Sequence, residues 1–466
     1  MIATARALKP SRSPLGAVLD WTRLRPWVFA YAVLSLWALV PEVRRLIDFR
    51  FGYNSISLIS IIPLVSLLPF GAALLYVRAR TLDRGMAICG WLWFGGFTFS
   101  FAVGLATGDK LATTYAFVGF VLPALLGLWL AKVDAPAVLV FDKISAFLLW
   151  LATPIALYGA FQFVSPPAWD RDWMLHAHIT AIGLPEPFLL RPFSTLNSPG
   201  PFADFLVAVL LLNLPRLGRI KPVQIVQLTL ILATLVLTMV RSSWLACALG
   251  IFAYIVMSPK PGRNLTIFAG IGILGAFLIF NASSLLGSAQ AGQDLSRRFG
   301  TLTDLSNDDS YTNRQQYLGT ILDNALLQPI GQGLGVVGTA AKLSSNQTVD
   351  FDNGYVARLV EMGYFGTACY LATLGAGLVL AFRFWRRSRC LGFDHGAAIG
   401  ASIFAVQLAL VGLDVANDHH NDFSGIIFWL TLGIVSRHSG LLAEASTRPT
   451  SDGPGRREAV VGLRRR

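Results

Sequence analysis

The sequence predicts an all-α, polytopic integral membrane protein, and its composition, apolar runs and charge distribution all support this fold class. Of its 466 residues, 54% are hydrophobic and only 14% are charged, against about 45–50% and about 25% in an average soluble domain. A soluble chain this apolar would have too few polar residues to cover its cores. A lipid bilayer removes that requirement because the hydrocarbon is itself an apolar solvent.

The apolar runs indicate membrane-spanning helices. A helix rises about 1.5 Å per residue and the hydrocarbon is about 30 Å thick, so a spanning helix needs about 20 apolar residues. The runs lack the alternation typical of barrel strands, which favours helices. About twelve segments qualify, near 27–41, 54–77, 87–106, 113–131, 144–164, 201–214, 223–240, 243–258, 264–284, 355–382, 396–416 and 423–436.

The charges predict which helix ends face the cytoplasm. With the N-terminus inside and helices of alternating direction, 26 of the 38 Lys and Arg residues fall inside, whereas 18 of the 26 acidic residues fall outside or at the outer membrane edge. This asymmetry follows the positive-inside rule, so topology explains the basic excess without nucleic acid. An even helix count predicts two cytoplasmic termini. The first residues lack the short apolar core and cleavage site of a signal peptide.

The runs and their connections divide the chain into five regions. We expect a cytoplasmic N-terminal segment at 1–26, about nine helices within 27–284, a long periplasmic loop at 285–352, about three helices within 353–437, and a disordered cytoplasmic tail at 438–466. The long loop is partly helical, since residues 313–327 have the apolar spacing of a surface-lying helix. A second long outer loop spans about 165–200. Long loops in compact proteins are usually functional or disordered, so we expect the chemistry there.

Three arginines on the predicted outer side are candidate anion ligands. Arg191 lies in RPFSTLNSPGPF, Arg241 in MVRSSW between two helices, and Arg314 in YTNRQQY. A guanidinium binds phosphate in a bidentate manner, whereas a lone arginine near lipid is costly. Two interpretations therefore remain open for each one: it binds an anion, or it extends to lipid headgroups or a nearby acid.

The segment FDNGYVARLVEMGYFG enters a predicted membrane helix. Asp352 and Glu361 are nine residues apart and would lie on opposite helix faces, so they do not form a paired-carboxylate site. Asp352 is a candidate N-cap. Arg358 is the nearest partner for Glu361, which indicates a structural role for that carboxylate.

The stretch PIGQGLG contains a glycine pattern that resembles a nucleotide loop, but it follows no strand. A tight turn that brings the backbone close to a ligand is the better interpretation. We expect structural roles for Gly331, Gly333, Gly335 and Gly363.

The histidines and cysteines give no strong signal for a metal. Adjacent His419 and His420 do not by themselves provide the convergence that a metal needs. We therefore expect ordinary surface histidines, and the alternative is that either one, beside Asp418 and Asp422, is a proton acceptor. The four cysteines form neither a disulfide framework nor a CxxC pair.

Four motifs in order resemble the O-antigen ligase and polymerase superfamily of bacterial envelope enzymes. They are RPFSTLNSPGPFADFL, VRSSWLACALG, NRQQYLGTILDNALLQPIGQGLG and DNGYVARLVEMGYFG, and they extend over about 175 residues. Each is weak alone, but their order and spacing agree with the family. The rest of the chain agrees only as helices.

The resemblance implies a membrane glycosyltransferase of GT-C-like architecture that uses no nucleotide sugar, metal or other cofactor. Its donor would be an oligosaccharide linked to undecaprenyl diphosphate on the outer side of the bacterial inner membrane. By analogy, Arg191, Arg241 and Arg314 would hold the diphosphate and stabilise the leaving group. Asn197 and Asn353 would contribute to substrate binding.

One position departs from the family pattern. Ligases of the family usually have His before Asn in the last motif, as a candidate base, whereas this chain has Asp352. An unperturbed aspartate, with a pKa of about 3.9, is a weak base unless its surroundings raise that value. The favoured function is therefore polymerisation of O-antigen or exopolysaccharide repeat units, with transfer to lipid A-core as the alternative.

Two other function classes explain less of the sequence. A transporter or flippase would carry ionisable residues at mid-membrane and broken helices, which are few here. A structural scaffold leaves the outer arginines unexplained. The expected partners are the lipid-linked donor, a glycan or lipid A-core acceptor, membrane lipid and a candidate chain-length regulator, with no nucleic acid.

Overall fold

The computed structural model describes residues 25–54, 57–76, 82–133, 135–177, 182–259, 324–343 and 353–437, with five further residues between 261 and 322. All regular structure in these residues is helical, apart from one isolated bridge between Gly183 and Leu190. The all-α prediction is confirmed for this part of the chain. Arg314, Asp352 and most of the predicted segments 1–26, 285–352 and 438–466 lie outside the described residues.

Seven helices form the first part of the fold. They are α1 (Pro26–Phe51), α2 (Ile62–Val65), α3 (Leu68–Tyr76), α4 (Arg84–Thr107), α5 (Lys110–Lys132), α6 (Ala137–Val164) and α7 (Ala168–Ala177).

Seven more helices follow the predicted outer loop at 165–200. They are α8 (Pro199–Asn213), α9 (Pro222–Leu237), α10 (Arg241–Met257), α11 (Gly338–Ala341), α12 (Gly354–Cys390), α13 (Asp394–Leu413) and α14 (Phe423–Val435).

The predicted apolar runs correspond closely to these helices. Seven helices, α1, α4, α5, α6, α8 with its continuation to Leu217, α12 and α13, are long and apolar enough to cross a membrane, and four shorter apolar helices accompany them. These eleven coincide with eleven of the twelve predicted runs. The run near 264–284 lies almost entirely outside the described residues. The protein is therefore a multi-pass membrane protein.

Local side-chain chemistry explains where several helices begin. Asp83, Asp109 and Asp422 each accept a hydrogen bond from a backbone N–H in the first turn of the helix that follows. Such caps satisfy amides that have no partner within the helix. For α12 the cap is Asn353, whose side chain accepts from Val356 N. The expectation that Asp352 is the cap was wrong by one residue.

The most buried helices lie at the centre of the bundle. α12 packs along α4 and α13, α10 along α13, and α5 along α14. Every residue of α14 is buried, as is nearly all of α8. Peripheral helices instead expose large apolar side chains such as Trp91 and Trp150. This arrangement suits lipid on the outside and protein packing at the centre.

The polar residues of interest gather at one end of the bundle, which we call the Arg241 end. It is formed by the C-termini of α4, α6, α9 and α13 and by the N-termini of α5, α8, α10, α12 and α14. Contacts that join these termini include Ser243 with Asp204 and Gly354 with Asp414. The predicted topology assigns this end to the outer side.

Candidate active site

The loop that carries Arg191 is seated on the junction between α9 and α10. Arg191 Nε donates to Thr238 O at 3.1 Å and Nη2 donates to Met239 O at 3.2 Å. α10 begins two residues later, at Arg241. The Arg191 side chain is therefore fixed at the helix junction that precedes Arg241, which is fifty residues later in the sequence.

A buried cluster that sequence analysis missed holds the Arg191 loop against α1 and α7. Its centre is Arg45 of α1, which is fully buried. Arg45 pairs with Asp170 at 2.9 Å and with Glu42, and it donates to the carbonyls of Ser194 and Leu196. We call Arg45, Glu42, Asp170 and Gln162 the Arg45 cluster. Burying a charge this deeply is costly unless partners surround it, and here four acceptors do so.

Gln162 completes the attachment of the loop. Its Oε1 accepts from Phe193 N at 3.0 Å and Ser194 N at 2.9 Å, while its Nε2 donates to Asp170 at 2.7 Å. Ser194 has a positive φ of 51°, a conformation that these bonds stabilise. Burial raises the pKa of Asp170 above its usual range, although Arg45 acts in the opposite direction. Asn197 is exposed, immediately beyond this fixed segment.

A second buried cluster joins α12 to the α13–α14 loop. Arg358 pairs with Glu361 at 2.6 Å and with Asp418 at 2.6 Å, and its guanidinium lies over the Phe120 ring at 4.3 Å. The predicted pairing of Arg358 with Glu361 is confirmed. Burial raises the pKa of Asp418, more than Arg358 lowers it.

Glu361 also fixes the glycine-rich turn at 329–337. Its Oε1 accepts from Gly335 N at 2.9 Å and Val337 N at 3.3 Å. The backbone of the turn bonds to α12 at Val360 and Glu361. Glu361 thus serves as a structural acceptor between the two segments.

The glycines of this turn approach the protein backbone closely. Gly333 has a φ of +91°, and a Cβ there would collide with the backbone of Gly104. A Cβ at Gly331 would likewise collide with the backbone of Gly363. Gly363 itself has a non-helical conformation that kinks α12. The expected structural roles fit this packing, and the expected approach of the turn to a ligand stays a prediction. Close helix packing leaves no room for a side chain at these glycines.

The α13–α14 loop and Tyr370 of α12 form a third buried cluster, which we call the Asp414 cluster: Asp414, Tyr370, His419 and His420. Tyr370 donates to Asp414 Oδ2 at 2.6 Å, and His420 Nδ1 lies 3.1 Å from Asp414 Oδ1. His419 Nδ1 lies 3.3 Å from Asn417 O and 3.6 Å from Asp414 Oδ1. Both histidines are 1% exposed, so the expectation that they are surface residues was wrong.

The electrostatics of this cluster favour an ionised Asp414 beside a neutral His419. Burial raises the pKa of Asp414, but His420 and His419 lower it further, so that it falls below its usual range. Burial lowers the pKa of His419 to about 4, because an imidazolium there would lose its hydration. Burial also raises the pKa of Asp422 well above its usual range.

Asp414, His419 and His420 also have the composition of a metal site. Their donor atoms lie within 4.8 Å of one another, because Asp414 supplies the third donor that two adjacent histidines lack. Hydrogen bonds to Asp414 and Asn417 already account for both Nδ1 positions. The observed contacts of the three residues are therefore explained without a cation.

Comparison with known proteins bears on the segment that contains Arg241. Residues 226–371, about a third of the chain, match the family model of O-antigen ligase. This match supports the resemblance of the segment to the O-antigen ligase and polymerase superfamily. No curated protein matches the chain. The O-antigen ligase segment includes Tyr370 and positions 314 and 352, whereas Arg191, Asp414, His419 and His420 lie outside it.

Proposed function

We propose that this protein is a membrane glycosyltransferase that acts on polyprenyl-diphosphate-linked glycans and polymerises O-antigen or exopolysaccharide repeat units. The observation that carries the proposal is the seat of Arg191 on the carbonyls of Thr238 and Met239, directly before Arg241. A buried cluster fixes the loop that holds Arg191, so the arginine is oriented before any substrate arrives. The matched O-antigen ligase segment includes Arg241 and supports the same reaction class.

In this proposal the arginines act on the leaving group. Arg191 and Arg241, together with Arg314, bind the diphosphate and stabilise the negative charge that grows on it as the sugar leaves. Preoriented guanidinium groups suit this task because they remain charged and bind two phosphate oxygens at once. The cost of placing arginines near lipid then has a functional reason.

Asp352 and two asparagines form the part of the proposed site that faces the acceptor sugar. Asp352 accepts a proton from the acceptor hydroxyl or orients the sugar, and Asn197 and Asn353 contact the substrate. Asn353 accepts a hydrogen bond from Val356 N, so it also fixes the start of α12. The proposed setting is the outer face of the bacterial inner membrane, with undecaprenyl diphosphate as the lipid carrier and a chain-length regulator as a partner.

The test removes one guanidinium at the helix junction. We expect Arg241→Ala to abolish glycan assembly in a complemented deletion strain while the protein still inserts at the wild-type level. Arg386→Ala is the matched control, because Arg386 is exposed in the last part of α12, away from the Arg241 end. Normal glycan chain lengths in Arg241→Ala would refute the proposed diphosphate site.

The glycans that accumulate without the protein distinguish polymerase from ligase. Single repeat units on the carrier or on the final lipid would indicate loss of a polymerase. Complete polymer that remains on the carrier would indicate loss of a ligase, the alternative that the name of the matched family favours. Analysis of extracted lipid-linked glycans by mass spectrometry separates the two outcomes.

A further inference from the structure

The Asp414 cluster contains a buried carboxylate–imidazole pair with an unpartnered nitrogen. His420 Nδ1 is 3.1 Å from Asp414 Oδ1. Tyr370 donates to the other oxygen of Asp414, which favours the ionised carboxylate. An ionised carboxylate can only accept, so His420 Nδ1 carries the hydrogen and Nε2 keeps its lone pair. Among the described residues His420 Nε2 has no hydrogen-bond partner, although it is buried.

From this geometry we infer that His420 accepts the proton of the attacking hydroxyl group, and that Asp414 orients it. The inference rests on the proposed glycosyl transfer and deepens it. A carboxylate at Nδ1 fixes the ring and stabilises the imidazolium that forms, as in serine hydrolases. A buried imidazole without such a partner would be protonated only at a large cost in hydration.

The neighbouring histidine lacks this arrangement. His419 Nδ1 is 3.6 Å from Asp414 Oδ1, beyond hydrogen-bond distance, and it is directed to the carbonyl of Asn417. A carbonyl holds the ring but carries no full charge to balance an imidazolium. His419 is equally buried and adjacent in sequence, so it provides a matched control.

The pair lies beside the elements that carry the proposed diphosphate site. Two residues after Arg241, Ser243 Oγ donates to Asp204 Oδ1 at 2.7 Å. Asp204 interacts electrostatically with Asp414 and His420, and its Oδ2 also lacks a partner among the described residues. Both unpartnered atoms carry lone pairs. Sugar hydroxyl groups supply the donors that such atoms need.

The start of α12 adjoins the same loop. Gly354 N donates to Asp414 O at 2.7 Å, and a Cβ at Gly354 would lie 2.8 Å from Asn417 O. The last family motif therefore begins in contact with the Asp414 cluster. An imidazole is also a stronger base than an unperturbed carboxylate.

The proton and bonding changes balance without a further reactant. The hydroxyl oxygen of the acceptor forms a bond to the anomeric carbon of the donor sugar, and the bond from that carbon to the diphosphate oxygen breaks. The bonding electrons leave on the diphosphate, while the hydroxyl proton moves to His420 Nε2. The imidazolium later releases that proton to water or to the departing diphosphate.

Several titratable groups face His420 from the surrounding elements. They are Asp414, Asp418 and His419 of its own loop, Tyr370 of α12 and Asp204 of α8. α4 and α14 present the aromatic rings of Trp93 and Phe428 instead. Asp414 is the carboxylate in hydrogen-bond contact with the ring, so its removal has the clearest predicted effect on the pH profile.

The experiment uses full-length protein in nanodiscs, with lipid-diphosphate-linked repeat units extracted from the deletion strain as donor. Binding of undecaprenyl diphosphate is measured separately. We expect His420→Gln to reduce turnover at pH 7 by about 100-fold or more and to keep undecaprenyl diphosphate affinity within about twofold of wild type. We expect His419→Gln to stay within about threefold of wild type. The binding and transfer readouts thus separate diphosphate recognition from proton transfer.

The pH profile tests a role that simple packing would not affect. Wild-type turnover should fall at acid pH as the base becomes protonated, and Asp414→Asn should move that fall to lower pH because the imidazolium loses its carboxylate partner. The comparison of wild type with Asp414→Asn tests the role of His420 even if His420→Gln does not fold. Equal losses in His419→Gln and His420→Gln, or an acid limb unchanged in Asp414→Asn, would overturn the inference. A wild-type protein that transfers no glycan would overturn the proposed function as well, whereas transfer by an unimpaired His420→Gln would overturn only this inference.

Discussion

Removal of Arg45 is the most direct test of how the fold orients Arg191. Arg45 bonds to two carboxylates and two carbonyls, and neither its side chain nor that of Asp170 is exposed. Breaking a buried ion pair from one side costs about 3–5 kcal/mol, because the remaining charge stays buried. We therefore expect Arg45→Gln to lower the free energy of unfolding by about that amount.

Two further variants calibrate this value. Arg45→Lys keeps the charge but loses the planar set of donors, so we expect a smaller cost of about 2 kcal/mol. His395→Gln removes a pair with Asp142 whose side chains are 30% and 33% exposed, and such pairs contribute about 0–1 kcal/mol. Equilibrium unfolding in mixed micelles measures all three variants.

The same substitution has a predicted consequence for function. The carbonyls of Ser194 and Leu196 lose their donor, so the segment that begins at Arg191 loses part of its attachment. Undecaprenyl diphosphate affinity should fall in Arg45→Lys, and the loss should disappear in an Arg191→Ala background. An Arg45→Gln cost below about 1 kcal/mol, or additive effects of Arg45→Lys and Arg191→Ala on affinity, would refute this account.

Three further predictions concern the other clusters. The folded pKa of His419 is about 4 against 6.5 for the free side chain. The contribution of neutral His419 to the free energy of unfolding is therefore fully present above pH 6.5 and is lost as the pH falls. Between pH 8 and pH 5, the free energy of unfolding of the wild type should fall by about 2 kcal/mol more than that of His419→Gln. Unfolding in micelles at both pH values measures this difference. Gly333→Ala should lower the free energy of unfolding by about 3 kcal/mol, because of the positive φ and the collision with Gly104. Gly375→Ala is the control and should lower it by nothing, since a Cβ there meets open space. Equal melting temperatures of the two variants would contradict this prediction. Glu361→Gln should cost about 3 kcal/mol by breaking the buried pair with Arg358, and unchanged protection of Gly335 N–H in hydrogen exchange would count against it.

Helix content was accessible to sequence analysis because it depends on local properties. Apolar length predicted eleven of the described helices. Helical spacing three residues apart predicted the pair of Arg358 with Glu361, since such residues are neighbours on one helix. The outer-side placement of Arg191 and Arg241, together with their motifs, predicted a common anion site, and that site stays a prediction.

The buried clusters could not be predicted in the same way. Arg45 is about 150 residues from the carbonyls that it holds, and Tyr370 is 44 residues from Asp414. A helix that is apolar on every side gives no periodic signal for which face meets protein and which meets lipid. The sequence by itself determined that these segments are membrane helices with a few charged residues near their ends. Tertiary structure alone decided which of those residues meet, because that depends on how each helix is rotated and how it crosses its neighbours.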